Sequence, residues 1–486
     1  MNSVVESLYQ SSVRRPEHIA IIADGEKISY ADLWNEILGF TSHLKSLNLE
    51  KGSRILVKSA SSIWYAVAIF SIHLSGNVNV PLESNVSVNG MNDIASQLGA
   101  SLVIADNYTD GSLPCINSAD VREIAKNNYS ENLGFDFPSG DDICDILFTT
   151  GTTGKSKGVV ISHTAVLGAA ENLQSGYNLL DDNVFLIPVP VNHANGIRKF
   201  YLCMYTGTTC VLLDGFTNIK KFYQYIADYG VTSLLLPPSA VRMIILLSGK
   251  ELSKFSKQIR HVHTSAAPFP ESDKEKLCEL LPETRLIFAY GASEAASCTM
   301  FAYSEHPGMI CCIGKTNVNA NIFIVDDNRQ PINSSKDNQG LLAISGKMLM
   351  NCYYNEPELT AEVLKDGVLY TNDIGYIDEN GFIYMLGRKG DVINVGGLKI
   401  APTEVESIVL RFPGIAECAC FAVEDKMSGV APKLNIVPER NVTIDTKELK
   451  AHMASYLEAY KIPKQIAIVD EIPKTANGKI NRKVLK

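Results

Sequence analysis

The chain has 486 residues, 46% apolar and 20% charged, with 44 Lys+Arg against 53 Asp+Glu for a net charge of −9. This composition excludes wholesale disorder, and the acidic balance argues against nucleic acid as a partner, since phosphate-backbone binding needs clustered Lys and Arg. The length suggests about three structural units. The last 26 residues depart from the average, with seven Lys and Arg against two acids, and on composition alone they read as a solvated basic tail.

The first eighteen residues lack the basic-then-apolar pattern of a secretory signal. Apolar stretches such as 63–74 and 241–247 are too short or interrupted to span a bilayer, so no membrane span is expected. Eleven cysteines, including the neighbours Cys311 and Cys312 and the C-x-C pair Cys418 and Cys420, show no metal-type spacing and no disulfide framework. A reduced, cytoplasmic setting is the expectation.

In chain order, residues 19–23 read as a strand turned at Asp24-Gly25 in hairpin fashion. Leu33, Ile37, Phe40, Leu44 and Leu47 then line one face of a helix, with Ser29 and Asp32 as a capping pair. Strands are expected at 54–58, 102–105, 184–188, 210–213, 233–236, 259–263 and 285–289, with helices at 219–229, 239–248 and 271–281 among them. This alternation implies an α/β fold of largely parallel sheets covered by helices. After about residue 315 the texture changes to short strands at 321–325, 340–345, 368–371, 376–378 and 382–386, an antiparallel β subdomain. A small α+β unit follows, with helices at 402–411 and 446–457 and strands at 418–423 and 465–469. The boundary falls at 387–391, where Gly390 relaxes the backbone. The expected division is therefore a large domain over 1–388 and a mobile cap over 389–486.

The strongest local signal runs from Asp145 to Ile161: a strand, then Thr149-Thr150-Gly151-Thr152-Thr153-Gly154-Lys155-Ser156-Lys157, then a second strand. Glycines bring backbone N–H groups close to an anion, hydroxyls add donors and lysines neutralise charge, which suits a polyphosphate. The spacing and the following strand exclude a Walker A loop. Read alone, the segment could be a Thr/Gly-rich surface turn.

This segment resembles the phosphate loop of the adenylate-forming (AMP-binding) superfamily, the group of acyl- and aryl-CoA synthetases, peptide-synthetase adenylation domains and beetle luciferases, with Ser156 where Pro is usual. Five further signatures follow in the family's order. Tyr290-Gly291-Ala292-Ser293-Glu294 is similar to Y-G-x-T-E, and Thr371-Asn372-Asp373 to T-G-D. Gly387-Arg388 with 391–400 and 404–406 resembles the boundary motif. The segments at 457–463 and 473–479 resemble the two closing motifs.

The resemblance implies a ligase that joins a carboxylate to the α-phosphate of ATP, releases pyrophosphate and passes the acyl group to a thiol. It assigns the β- and γ-phosphates to Thr149 through Lys157 and Mg²⁺ to Glu294. The ribose hydroxyls fall to Asp373, the adenine environment to Tyr290 with Gly291 and Ser293, and a permanent charge near ribose and phosphate to Arg388. Lys479 is implied to reach the substrate carboxylate and the α-phosphate during adenylation. Each has a plainer reading: Glu294 as a helix-start carboxylate, Asp373 as a turn residue, Tyr290 as core, Lys479 as a solvated cation.

Pro190-Val-Asn-His193-Ala-Asn-Gly196 is similar to the P-x-x-H-x-x-G of acyl- and aryl-CoA synthetases, where the His position gates the tunnel between acid and thiol. An α-amino acid substrate is disfavoured, since no Asp stands ready for its ammonium. Arg198 could face an anionic substrate tail or lie on the outside of its helix. Gly396-Gly397-Leu398-Lys399 resembles the loop lining a pantetheine tunnel, which favours CoA and leaves open a carrier protein. Two departures stand out: Gly390 occupies the pivot where Asp or Lys is usual, and 340–342 lacks the usual Glu. A non-catalytic nucleotide-binding module and an oxygenase related to luciferase are the other readings.

Overall fold

The computed structural model describes residues 1–58, 60–109, 112–149, 157–216, 218–248, 250–265, 267, 269–395, 398–425, 429–474 and 480–485. Two sheets form its centre. In the first, Arg54–Lys58, Val78–Leu82, Leu102–Ala105 and Cys115–Asn117 run parallel, and Ile143–Thr149 joins Val78–Leu82 in the same sense. Lys157–Ser162 returns antiparallel to Ile143–Thr149, and Cys352–Tyr353 pairs along its outer edge. The second sheet places Ile19–Ala23, Thr209–Leu212, Val184–Ile187, Ser233–Leu235, His261–Ser265 and Arg285–Ala292 side by side and parallel.

From Arg285–Ala292 onward the same hydrogen-bonded path turns antiparallel, through Ala296–Ala302, Cys312–Thr316, Ile383–Arg388, Val368–Ile377, Gly340–Gly346 and Ala320–Val325. The antiparallel subdomain is thus an extension of the second sheet. The expected pair of strands at 368–371 and 376–378 is one strand, Val368–Ile377, with a register shift between Ile374 and Gly375. Asn372-Asp373 looks like a turn locally, but pairing with Ile383–Arg388 overrides that preference. Gly375 permits the shift: a Cβ there would lie 2.2 Å from the Tyr384 carbonyl oxygen.

Local chemistry explains the better-predicted elements. Asp24 and Gly25 both take positive φ, 47° and 84°, the pair a two-residue hairpin turn demands. Ser29 caps Tyr30–Ser46 by accepting from the Asp32 amide and donating to its carboxylate at 2.8 Å. Ile63–Leu74 is apolar all round because it is buried all round. Among the described residues no helix is long and apolar enough to cross a membrane.

Residues from Ile393 onward build a core of their own, with Ile400, Val405, Ile408, Leu434, Ile436 and Leu449 at its centre. Helices Pro402–Val409 and Thr446–Ala454 pack on the strands Ile415–Asp425, Gly429–Pro438 and Gln465–Ile468. This unit touches the rest of the chain through an apolar patch of Ala401 with Ile374 and Leu386, and through polar groups. Arg242 donates to the Ala416 carbonyl (3.0 Å), Arg411 pairs with Glu275 (2.5 Å) and Lys336 with Glu458 (2.8 Å).

The basic tail is not simply solvated. Lys461, 3% exposed, pairs with Glu404 and Glu458; Lys474 pairs with Glu417; and Arg482 pairs with the buried Glu406 while donating to the Cys420 carbonyl. Those cations fasten the tail to its own unit, a function composition cannot reveal because Glu404, Glu417 and Glu406 lie far away in sequence.

Candidate active site

The phosphate loop hangs between two paired strands whose last described pair is Thr149 and Lys157. The Thr149 side chain and residues 150–156, which include the predicted Thr150, Gly151, Thr152, Thr153, Gly154 and Lys155, lie outside the described residues, as do Gly396, Gly397 and Lys479. What anchors the loop is described. Asp145, 1% exposed, accepts from Asn79 Nδ2 (2.7 Å) and from Tyr201 Oη (3.0 Å to each oxygen), with His73 Nε2 at 3.3 Å. Burial pushes its carboxyl pKa up, but the donors from His73, Asn79 and Tyr201 outweigh this and hold it below the ordinary value. His73, Cys144 and Asp145 lie close enough to share a ligand. Both Asp145 oxygens are already engaged by donors, so the group works as an anchor binding the loop strand to three neighbouring elements.

Two clusters of predicted residues assemble at the C-terminal edge of the parallel strands, where ligands of such sheets bind. In the first, Tyr290 at the end of the parallel run donates its hydroxyl to Asp373 Oδ2 at 2.6 Å, and Arg388 Nε lies 3.6 Å from Oδ1. Asp373 and Arg388 face each other across adjacent strands. The turn reading of Asp373 is therefore corrected: it sits mid-strand, fixed from both sides. Tyr290 is 9% exposed, and burial first, then the Asp373 charge, drives its hydroxyl well above the ordinary value, so it remains a donor. Arg388 stays largely exposed.

The second cluster centres on Glu294, in the turn between Arg285–Ala292 and Ala296–Ala302 and not at a helix start. Tyr353 donates to Glu294 Oε1 at 2.7 Å, and the Lys157 ammonium lies 5.3 Å from the Tyr353 ring centroid. The backbone reinforces this, with the Met350 amide donating to the Glu294 carbonyl at 2.8 Å. Tyr353 was not foreseen: its segment pairs with the loop strand across nearly two hundred residues, and no local pattern marks it. The second Glu294 oxygen has no hydrogen-bond partner among the described residues. A hard carboxylate oxygen left open beside a phosphate-loop lysine fits Mg²⁺, which takes few protein ligands and keeps water and phosphate for the rest.

Other expectations need revision. Gly291 is required by packing, since a Cβ there would meet the Ala296 carbonyl oxygen at 1.7 Å. Ser293 contributes its carbonyl to Arg198 Nη2 (2.6 Å), and Ala292 its carbonyl to Nη1 (2.8 Å). Arg198 thus neither lies outside its helix nor points to a substrate tail; it is 9% exposed and braces the Glu294 turn. Lys399 donates to the Gln339 carbonyl at 3.1 Å, a contact between the cap and the antiparallel strands. His193 is exposed at the start of helix Ala194–Thr206, with no capping bond from its side chain.

The family profile described as AMP-binding enzyme matches residues 8–354, and the AMP-binding enzyme C-terminal domain matches 404–479. The chain belongs to the AMP-binding enzyme family. The peroxisomal OPC-8:0-CoA ligase 1 of Arabidopsis thaliana is a 28% identical relative, with 95% of this chain and 88% of the relative aligned. The 2-succinylbenzoate–CoA ligase of a Geobacillus species is 26% identical over 100% of this chain and 97% of its own. In fold, the chain is similar to ATP-bound MatB from Rhodopseudomonas palustris, with a TM-score of 0.87, 22% identity and coverage of 100% and 98%. It is also similar to Bacillus subtilis MenE in complex with ATP and magnesium, with a TM-score of 0.82, 24% identity and coverage of 99% and 98%.

Proposed function

We propose that this AMP-binding enzyme activates a carboxylic acid with ATP and transfers the acyl group to the thiol of CoA. The observation that carries the reading is the short turn linking two clusters. Tyr290 with Asp373 and Arg388 is built for a ribose and its phosphate, and Glu294, four residues on, with Tyr353 and Lys157 for the outer phosphates. Two hydroxyls of a sugar need an acceptor that donates nothing, and Asp373 is one, held at a fixed angle by Tyr290.

The reaction requires two anions to meet. The acid is ionised at neutral pH, so its carboxylate attacks the α-phosphorus without a general base, while the bond to the departing pyrophosphate breaks. Positive groups aimed at the developing charge supply the stabilisation. Lys479 is assigned to the α-phosphate and substrate carboxylate, Lys157 and the loop to the outer phosphates. Glu294 would hold Mg²⁺, which would supply charge neutralisation there. In the second half-reaction the thiolate attacks the acyl carbonyl and AMP leaves. His193, exposed at the helix start, is assigned to the gate between acid and thiol, and Lys399 with Gly396 and Gly397 to the pantetheine path.

The named relatives are CoA ligases, which supports CoA over a carrier protein as acceptor. The test is pyrophosphate release from a panel of carboxylic acids, then loss of the preformed adenylate on adding either CoA or a phosphopantetheinylated carrier. Acid-dependent pyrophosphate release with CoA-dependent adenylate loss is expected. ATP binding with no acid-dependent release would refute the reading.

A further inference from the structure

Helix Ala194–Thr206 turns two consecutive cations inward. Arg198 spends its guanidinium on two carbonyl oxygens. Lys199 is 1% exposed, and its ammonium donates to Asn195 Oδ1, 2.8 Å away and one turn earlier. The same amide oxygen accepts from Ser265 Oγ at 2.8 Å. Among the described residues, neither cation has a carboxylate within ion-pairing distance.

A buried ammonium carries three donors and a charge, and one neutral acceptor satisfies little of either. Nothing in the packing explains why a Leu or Met does not stand here, and truncating such a group to an apolar one is often neutral or stabilising. The location suggests a ligand. Ser265 closes strand His261–Ser265 opposite Ala289, the residue before Tyr290. Asn195 is half-buried, two residues after the exposed His193. Through Asn195 and Ser265 the ammonium is thereby linked to the helix start that carries His193 and to the strand end beside Tyr290. Strand alternation puts His263 on the same face as Ser265; it is wholly buried, and both its ring nitrogens lack a hydrogen bond. Burial, then Arg198, pulls the Lys199 pKa down to about 7, so an approaching carboxylate would restore its full charge near neutrality.

We infer that Lys199, with Asn195 and Ser265, is the specificity element for a second carboxylate at the far end of the acid, so that the substrate is a dicarboxylic acid adenylated at one end only. Arg198 adds to the positive field without contacting the ligand. The inference rests on the ligase reading for its chemistry, but binding of the diacid can be measured apart from turnover.

The experiment uses the full-length protein with ATP and Mg²⁺ and the dicarboxylic acids from succinic to sebacic, together with terephthalic acid, each paired with its monomethyl ester. Pyrophosphate release gives kcat/KM, and equilibrium dialysis of the radiolabelled acids in the presence of AMP gives binding. At least one diacid is expected to exceed its ester on the order of 100-fold, the scale of a buried charge pair. Lys199→Met should bring the ratio towards one through KM. Lys199→Arg, the variant that keeps the charge, should retain a preference for the diacid. Esters matching every diacid, or Lys199→Met weakening both members of a pair equally, would overturn the inference in favour of a structural lysine. Lys199-dependent diacid binding without pyrophosphate release would uphold it and reject the ligase reading; no Lys199-dependent binding of any diacid would overturn it.

Discussion

Tyr353 holds one oxygen of Glu294 and leaves the other open, so a single phenol orients this carboxylate. Tyr353→Phe removes that charge-assisted bond, worth about 1.5 kcal/mol. The Mg²⁺ concentration for half-maximal pyrophosphate release should rise about tenfold, with ATP binding in the absence of Mg²⁺ unchanged. The buried His163 and His263 and the half-buried His261 carry a second prediction. Burial, aided by His73 at His163 and by Arg285 and Arg260 at His261, lowers His163 to about 3, His261 to about 4 and His263 to about 3 from an ordinary 6.5. Between those values only the unfolded chain takes up the proton, so stability falls as pH drops from about 6.5 toward 3 and is unaffected by these groups above it. Each contributes up to about 1.4 kcal/mol per pH unit. Urea midpoints across that range should flatten in His263→Phe relative to the parent. Glu294, Asp373, Tyr290 and Arg388 were legible in the sequence because each sits in a short local motif. Tyr353 and Lys199 were not, since a tyrosine after a strand or a lysine in an amphipathic helix looks ordinary until the fold supplies its neighbours.

At the scale of elements, helix Ala194–Thr206 connects the two sheets. Tyr201 reaches Asp145 beneath the phosphate loop, while Arg198 reaches the carbonyls of the Glu294 turn. The helix therefore sets the relative position of the loop strand and the Glu294 turn. Asp145→Ala would leave Asn79 and Tyr201 without their acceptor in a dry interior and cost about 3–5 kcal/mol. Chemical denaturation should show that loss, accompanied by a raised KM for ATP; an unchanged midpoint would contradict the anchoring role. Periodicity and capping revealed most of these elements: Ser29 and Asp32 start their helix as the spacing predicts. The strand Val368–Ile377 was misread because its Asn-Asp pair mimics a turn, whereas long-range pairing with Ile383–Arg388 determines its form. The antiparallel continuation of the second sheet was equally hidden, since sheet membership is settled by partners distant in sequence.

The whole molecule is a large body carrying a unit with its own core, joined through Arg388-Lys389-Gly390-Asp391. An added Cβ at Gly390 would meet nothing within 4 Å, so Gly390→Asp should fold normally. We propose that the cap rotates about this segment between the half-reactions, breaking contacts such as Arg411 to Glu275 as it does so. A disulfide between Cys residues introduced at 411 and 275 should leave only one half-reaction working, with the other restored on reduction; retention of both would rule out the rotation. The central claim, that an acyl-adenylate links ATP to the thioester, is tested most directly by the fate of the acid's oxygen. With a substrate labelled with heavy oxygen in its carboxylate, mass spectrometry should find one labelled oxygen in AMP and one in the acyl-CoA. Label in inorganic phosphate with ADP as co-product, or AMP free of label, would contradict it.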